Sequence, residues 1–415
     1  MADSTAADLR IDGARLWASL MEMAKVGATE RGGCNRQALT DTDRQGRALF
    51  RSWCEAAGLG VSFDAIGNLF ARRRGRQSDA APVLIGSHLD TQPTGGRFDG
   101  VFGVLAGLEV ARALNQSSLE TKRPIVIADW TNEEGARFAP AMMGSGVFAG
   151  IHDLEFVYSR IDKDGVSVKE ALEAIGWLGV LAPGAFRPHA AFEAHIEQGP
   201  ILEAAGETIG VVTGIQGCVW LDLTLTGVPA HAGTTPMEAR RDPWRAATPV
   251  IEAAFAAAAA AGPEARCTIG DVGIAPGSRN TIPETLKVSF DLRHPDAATL
   301  GRMRAELESA ASRETAARGL GWRVEEVFHM APTPFDPGLV ATVETAAAKL
   351  GYPYRRMISG AGHDSLHLAK IAPTAMVFTP CLAGLSHNEA EDARPDDLAA
   401  GANVLLHAAL AAANA

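Results

Sequence analysis

Apolar and polar residues alternate along the first third of the chain in the pattern of a layered α/β domain. A buried strand (82–87), an apolar helix (101–114) and a second buried strand (125–130) follow one another. Upstream, residues 16–57 have helical spacing with a turn at Gly32 and Gly33, and residues 61–73 alternate as a strand pair. In such domains the catalytic groups gather at the carboxyl ends of the strands.

The pattern changes near Gly210. The order strand, helix, strand, strand, helix, strand between residue 214 and about residue 330 is typical of an α+β sandwich with an antiparallel sheet. From Pro334 the helix and strand alternation resumes. We therefore expect an α/β domain formed by residues 1–213 and 331–415, with an α+β domain inserted at residues 214–330.

Composition narrows the class of partner. The 415 residues include 38 Lys and Arg against 49 Asp and Glu, a net charge of -11, and contain no basic run, which makes nucleic acid an unexpected partner. The N-terminal residues do not resemble a secretory signal, and the longest apolar run (253–261) is too short to cross a bilayer, so we expect no membrane association. Five cysteines without CxxC spacing argue against a disulfide framework and a thiolate metal site, and favour a cytoplasmic protein.

Five potential metal ligands stand in glycine-rich or acidic segments that read as strand ends or loops. The segment SHLDTQPTGGRFDG presents the first two, IVIADWTNEEG the third, and two further histidines come later. The five residues are His88, Asp99, Glu134, His195 and His387. They can fill two divalent sites if one carboxylate bridges the two ions, which predicts a two-metal hydrolase.

Glu133 and Glu134 suit a division of labour in which one carboxylate coordinates and the other acts as general base. Spacing alone leaves open which does which. A rival metal pair, His363 and His367, would share one helix face at positions i and i+4, although the peptidase motif is incomplete there because Asp364 takes the place of Glu. We interpret His363 and Asp364 as near the site and His367 as structural.

Two further residues carry alternative interpretations. His231, in PAHAG, either donates a hydrogen bond to an oxyanion or is a turn histidine. Arg293, in DLRHP, is a candidate anchor for a substrate carboxylate, because its planar fork matches that group, or else a surface residue at a strand end.

Taken together, seven motifs resemble the hydantoinase/carbamoylase branch of the dinuclear-zinc M20 amidohydrolases and peptidases, from about Trp17 to the C-terminus. They are SHLDTQPTGGRFDG, NEEGARF, AHIEQGP, GVPAHAGTTPM, DLRHP, SGAGHDS and SHNEAE. The resemblance implies a large zinc-peptidase-like catalytic domain with an inserted lid and dimerisation domain. It also implies one metal on His88 and His195, another on Glu134 and His387, and a bridging Asp99.

The same resemblance implies that Glu133 is the general base and that His231 reaches across a homodimer interface into the active site of the partner. The residues that it implies for substrate binding are Gln198, Asn280, Arg293 and the backbone near Gly362.

The resemblance finally implies a small ureido substrate that carries a carboxylate. The expected reaction converts N-carbamoyl-β-alanine or an N-carbamoyl-L-amino acid to the free amino acid, ammonia and carbon dioxide. Allantoate amidohydrolase is the alternative within enzymes; a catalytically silent ligand-binding protein is the alternative from another class, although it predicts missing ligands or a missing base. We expect two divalent ions per subunit, with zinc favoured and manganese, cobalt or nickel also compatible with these ligands.

Overall fold

The computed structural model describes residues 8–415. The chain forms two compact units, the first made of residues up to Thr213 together with Pro334–Ala415, and the second of Gly214–Thr333. The sequence pattern put the end of the inserted segment at residue 330, three residues before the boundary in the structure. No helix in residues 8–415 is both long and apolar enough to cross a membrane.

The strands of the described residues are numbered in chain order. They are β1 Gly60–Phe63, β2 Leu69–Arg73, β3 Val83–His88, β4 Ile125–Trp130, β5 Ala190–Ile196, β6 Ile209–Ile215, β7 Gly217–Thr226, β8 Ala230–His231, β9 Arg266–Thr268, β10 Val272–Ala275, β11 Thr281–Ile282, β12 Thr285–His294, β13 Gly321–Met330, β14 Thr333–Pro334, β15 Tyr354–Ser359 and β16 Thr374–Thr379.

Between the strands lie α-helices and two short 3₁₀ turns, Met237–Ala239 and Leu382–Gly384. The α-helices are Gly13–Met23, Asp41–Ala56, Val101–Gln116, Met143–Phe148, Leu154–Tyr158, Val168–Ile175, Ile201–Ala205, Trp244–Ala260, Ala297–Ala316, Pro337–Leu350, Ser365–Leu368 and Pro395–Asn414.

A nine-stranded sheet organises the first unit, in the order β1-β2-β4-β3-β5-β16-β6-β14, with β15 also paired to β6. The four central strands β4, β3, β5 and β16 run parallel. Their carboxyl ends therefore meet at one edge of the sheet, here termed the carboxyl edge, where the ligands of α/β proteins usually bind.

Both faces of this sheet are covered, as parallel sheets require, and every residue of β3, β4 and β5 is buried. On one face, helix Val101–Gln116 approaches the strands closely because it has glycines at positions 103 and 107. A Cβ atom on Gly107 would lie 2.9 Å from Ile85 Cγ2, and one on Gly103 would overlap the carbonyl oxygen of Ala194. The predicted α/β class is confirmed, and the sequence places this helix correctly.

The second unit contains the antiparallel sheet β10-β12-β7-β13, with β9 also paired to β12, and a separate two-stranded ladder of β8 and β11. Alternate residues of β7 and β12 pack against helices Trp244–Ala260 and Ala297–Ala316. These inward side chains are Val219, Leu221, Leu223, Leu225, Leu286, Val288, Phe290 and Leu292. Each contributes about 1.5–3 kcal/mol when fully buried, enough to give this unit a core of its own.

The helical pattern predicted from residue 16 to residue 57 is wrong in its middle. The first helix ends at Met23 and the second begins at Asp41, capped by the Thr40 hydroxyl. Between them the buried Arg36 guanidinium donates to the carbonyl oxygens of Val26 (2.7 Å) and Leu89 (2.7 Å). The bond to Leu89 holds the segment around Arg36 against the end of β3, and this segment is not helical.

Candidate active site

The carboxyl edge of the first unit gathers all five predicted ligands. His88 ends β3 and His195 is the penultimate residue of β5, while Glu134 follows β4. Asp99 lies just before helix Val101–Gln116, and His387 lies in the loop after β16. Three of the five are thus positioned by neighbouring parallel strands, and two by loops that return to the same edge.

Asp99 stands between two groups of potential ligands. Its Oδ1 atom lies 3.2 Å from His195 Nε2 and 3.8 Å from His88 Nε2. Its Oδ2 atom lies 3.4 Å from His387 Nε2, which in turn lies 3.3 Å from Glu134 Oε2. In each group the ligand atoms lie within 4.8 Å of one another, as atoms that share an ion must.

The hydrogen bonds of two imidazoles at Nδ1 orient their Nε2 atoms toward Asp99. His88 Nδ1 lies 2.9 Å from the carbonyl oxygen of Asp90, and His195 Nδ1 lies 2.9 Å from that of Ile196. A carbonyl only accepts, so each Nδ1 donates and Nε2 carries the lone pair that could bind a metal. In His195 this lone pair accepts from Gly100 N at 3.1 Å. This pattern, in which the second nitrogen donates to a carbonyl, is typical of histidines that bind metals.

The adjacent glutamates diverge. Glu134 Oε2 accepts from Gln92 Nε2 (2.8 Å) and faces His387, whereas Glu133 Oε2 lies 3.4 Å from His88 Nε2 and belongs to neither ligand group. The Asp90 carboxylate accepts from both glutamate backbone N–H groups at 3.2 Å and fixes this divergence. The geometry thus favours Glu134 as ligand and Glu133 as the carboxylate held beside the site, a choice that spacing had left open.

Negative charge dominates this pocket. Asp90, Asp99, Glu133 and Glu134 are all buried or nearly so, and no Lys or Arg in residues 8–415 forms an ion pair with any of them. Burial raises the pKa of Glu134 to about 7 and that of Glu133 well above its usual value.

The imidazoles respond to the same charge. Burial alone would lower the pKa of His195, but the protonated ring can donate from Nε2 to Asp99, and this bond and the nearby carboxylates raise the pKa to about 9. The hydrogen bond to Asp99 likewise raises the pKa of His387 to about 9 against the effect of burial. A negatively charged cluster of nitrogen and oxygen donor atoms fits divalent cations.

The rival pair His363 and His367 does not form a site. The helix that would align them spans only Ser365–Leu368, so His363 lies before it. His363 instead groups with Glu193 and His195, and its Nε2 lies 3.1 Å from Ser359 Oγ. His367 packs against the ring of His152, with 5.5 Å between centroids.

Of the predicted substrate residues, Gln198 lies within the cluster. Its Nε2 donates to Asp99 Oδ2 (2.9 Å) and to Ser386 Oγ (3.1 Å), while its Oε1 is buried without a hydrogen-bond partner. Gly362 lies beside Met142, whose backbone N–H donates to Glu133 O at 2.7 Å.

The other three belong to the second unit. His231 pairs with Thr281 across the β8–β11 ladder, next to Asn280, whose carbonyl accepts from Ala232 N at 2.8 Å. The exposed His231 ring accepts from Gly233 N at its Nδ1 (3.0 Å), as a turn histidine does. Arg293 donates from Nε and Nη2 to Asp291, at 2.9 and 2.8 Å. Their roles toward substrate stay predictions.

Sequence reasoning missed Ser386 and Glu391, which contact the backbone or carboxylate of Asp99. Only their nearness to His387 within SHNEAE could have suggested them.

The chain matches the pattern of peptidase family M20/M25/M40 over residues 84–411. It is 53% identical, over 97% of its length and 96% of the relative, to a protein from Rhizobium meliloti named N-carbamoyl-L-amino-acid amidohydrolase. It is 31% identical to an allantoate amidohydrolase from Bacillus subtilis, over 92% and 93% of the two chains. A crystal structure of a hydantoinase/carbamoylase family amidase from Burkholderia multivorans superposes with a TM-score of 0.95 at 52% identity, covering 98% of this chain and 99% of that one.

Proposed function

The chain belongs to peptidase family M20/M25/M40, and from that premise we propose that it is a metal-dependent amidohydrolase that cleaves the ureido C–N bond of N-carbamoyl-L-amino acids. The products are the free amino acid, ammonia and carbon dioxide. The observation that carries the proposal is Asp99, whose two carboxylate oxygens face two different groups of ligands. The similarity to the R. meliloti protein supports the substrate class.

We assign His88, Asp99 and His195 to one divalent cation, and Asp99, Glu134 and His387 to a second. Imidazole and carboxylate donors suit zinc, and also manganese, cobalt or nickel. Bound cations would polarise the scissile carbonyl and make water a stronger acid.

Glu133 is proposed as the general base. Its carboxylate lies outside both ligand groups yet beside His88, so it can take a proton at Oε2 and deliver it to the leaving nitrogen. The buried, unpartnered Oε1 of Gln198 can accept an N–H of the substrate's ureido group. In this proposal Glu133 transfers the proton and Gln198 orients the substrate, both at the carboxyl edge of the sheet.

The second unit is proposed to supply the remaining contacts. Because Gly233 N donates to His231 Nδ1, the ring proton lies on Nε2, from which it can be donated to an oxyanion. Arg293 is proposed to anchor the substrate carboxylate, for which it would exchange or share its partner Asp291, and Asn280 is proposed as a further substrate contact. The backbone near Gly362, in the first unit, is proposed to complete the set.

A homodimer is proposed, with His231 acting in the partner's site. The outer edge of β13 pairs with no other described strand, and Trp220 and Phe328 form an exposed aromatic pair with centroids 4.9 Å apart on the same sheet. Open edges and exposed apolar patches favour association.

The cytoplasm, where five free cysteines stay reduced, is the proposed compartment.

A substrate panel tests the proposal. Metal-depleted protein is reconstituted with Zn²⁺, Mn²⁺, Co²⁺ or Ni²⁺, and ammonia release is measured from N-carbamoyl-L-methionine, N-carbamoyl-β-alanine and allantoate. We expect metal-dependent turnover that is greatest for an N-carbamoyl amino acid. A clear preference for allantoate would replace the proposal with the activity named for the B. subtilis relative; binding without turnover of any compound would favour a silent binding protein.

A further inference from the structure

Glu391 is a buried carboxylate to which the proposed mechanism assigns no role. It is 1% exposed, and no Lys or Arg among residues 8–415 forms an ion pair with it. A buried carboxylate is costly unless its oxygens accept hydrogen bonds, so the bonds that it does accept indicate what it holds in place.

Those bonds reach both loops that complete the candidate site. Glu391 Oε1 accepts from the backbone N–H groups of Phe98 (2.8 Å) and Asp99 (3.1 Å). Glu391 Oε2 lies 3.0 Å from Ser386 Oγ, which is 2.8 Å from Asp99 Oδ2. One side chain therefore holds the backbone of Asp99 and the residue that precedes His387.

The chain makes space for this contact. A Cβ atom on Gly96 would overlap the carboxyl group of Glu391, so only glycine at that position lets the two segments meet. Nearby, Arg97 Nη2 and Asp392 Oδ1 join the same segments at 2.8 Å in a partly exposed ion pair. These contacts hold the loop after β16, which carries the half-exposed His387, against the segment that contains Asp99.

We propose that Glu391 is a positioning residue that aligns Asp99 with His387, and so controls the affinity of the cation held by Asp99, Glu134 and His387. The inference rests on the proposed function. Partners that orient metal ligands typically change metal affinity by about 10- to 100-fold when they are removed. The ion on His88, Asp99 and His195 should depend on Glu391 much less, because strands β3 and β5 hold two of its three ligands.

The test is a Co²⁺ titration of metal-depleted protein, with bound ions counted by equilibrium dialysis and their ligand field followed by visible absorption. For Glu391→Ala we expect one Co²⁺ at wild-type affinity and the second weakened about tenfold or more. Glu391→Gln, which keeps the volume and one oxygen acceptor, should show a smaller loss at the same ion.

The matched control is Glu109→Gln. Glu109 is also fully buried and accepts a distant backbone N–H, that of Asp12. Unlike Glu391 it forms ion pairs, with Arg15 and Arg112, and none of its bonds reaches Asp99 or His387. We expect the control to bind both ions as wild type does, whatever its melting temperature.

Two outcomes would overturn the role of Glu391. Either both Co²⁺ affinities are unchanged in folded Glu391→Ala, or both fall equally, as a general loss of stability would cause. If Glu391→Ala does not fold, Glu391→Gln decides, and wild-type affinity for both ions in that variant rejects the idea. Wild-type protein that binds fewer than two Co²⁺ ions overturns the proposed metal centre as well, whereas a two-ion, active wild type with an unchanged Glu391→Ala variant overturns this inference alone.

Discussion

Replacing Glu133 with Gln separates proton transfer from metal binding. The change keeps the shape of the side chain but removes its basicity. Glu133 belongs to neither ligand group, and its Oε2 lies 3.4 Å from His88 Nε2, so we expect both ions to stay bound. General base catalysis contributes about 10²–10⁴-fold, and the turnover of Glu133→Gln should fall by at least the lower figure. That loss corresponds to a barrier higher by roughly 3–5 kcal/mol.

The folded state should not be weakened by the same change. Burial and the carboxylates of Asp364 and Glu134 raise the pKa of Glu133 well above its usual value, so its ionised form is unfavourable in the folded protein. A neutral amide removes that repulsion. We expect a melting temperature equal to or above that of wild type.

The measurements are steady-state kcat and KM on an N-carbamoyl amino acid, with metal content determined on the same sample. Glu134→Gln is the matched control. Because Glu134 lies in the ligand group of His387, we expect this variant to lose one ion as well as activity. Unchanged kcat in Glu133→Gln would remove Glu133 from the mechanism. Loss of metal from Glu133→Gln would instead make it a ligand.

Three other predictions use different parts of the chain. If His231 serves the partner's site, an equal mixture of His231→Ala and Glu133→Gln subunits, each inactive alone, should recover about a quarter of wild-type activity after exchange, since half of the dimers carry one intact site. No recovery would place His231 in its own subunit's site, and an active His231→Ala protein would place it outside catalysis. Gly100→Ala should lower the melting temperature and the metal content together, because Gly100 has φ +67° and its Cβ would overlap the His88 ring; normal metal content would contradict this reading. Burial, with His152 and Lys370 nearby, lowers the pKa of His367 to about 4 against 6.5 for the unfolded chain, so the unfolded state gains the proton first and stability is lost as pH falls from about 6.5 to about 4. Relative to His367→Leu, the free energy of unfolding of wild type in urea should fall by up to about 3 kcal/mol across that range, and parallel pH profiles would refute it.

The central strands were predictable because a parallel sheet buried on both faces leaves continuous apolar runs in the sequence. β4 has the predicted bounds, Ile125–Trp130, and β3 is shifted by one residue to Val83–His88. Once those strands are fixed, the rule that ligands gather at carboxyl ends brings His88 and Glu134 together. The chemistry of the edge therefore follows from local pattern and topology.

The loops were less predictable because their paths are set by contacts between distant residues. Nothing periodic marks Arg36, which bonds to the carbonyl oxygens of Val26 and Leu89, or Glu391, which is 292 residues from the Asp99 N–H that it accepts. The ion pair of Arg293 with Asp291 was likewise not predictable from the sequence. In each case the decisive partner is a polar group whose position only the folded chain defines.

The buried charge at the carboxyl edge links the stability of the fold to its proposed chemistry. Hydrogen bonds to Asp99 raise the pKa values of His195 and His387 to about 9, so protons on these imidazoles balance part of the negative charge. Coordination requires the unprotonated nitrogen, and a cation bound by these residues therefore competes with those protons. The apolar packing around β3, β4 and β5, together with backbone N–H bonds to Asp90 and Glu391, holds the carboxylates close to one another despite their repulsion. Because the packed core holds these side chains in place, we expect the cluster to exchange protons for divalent cations without a change in the fold.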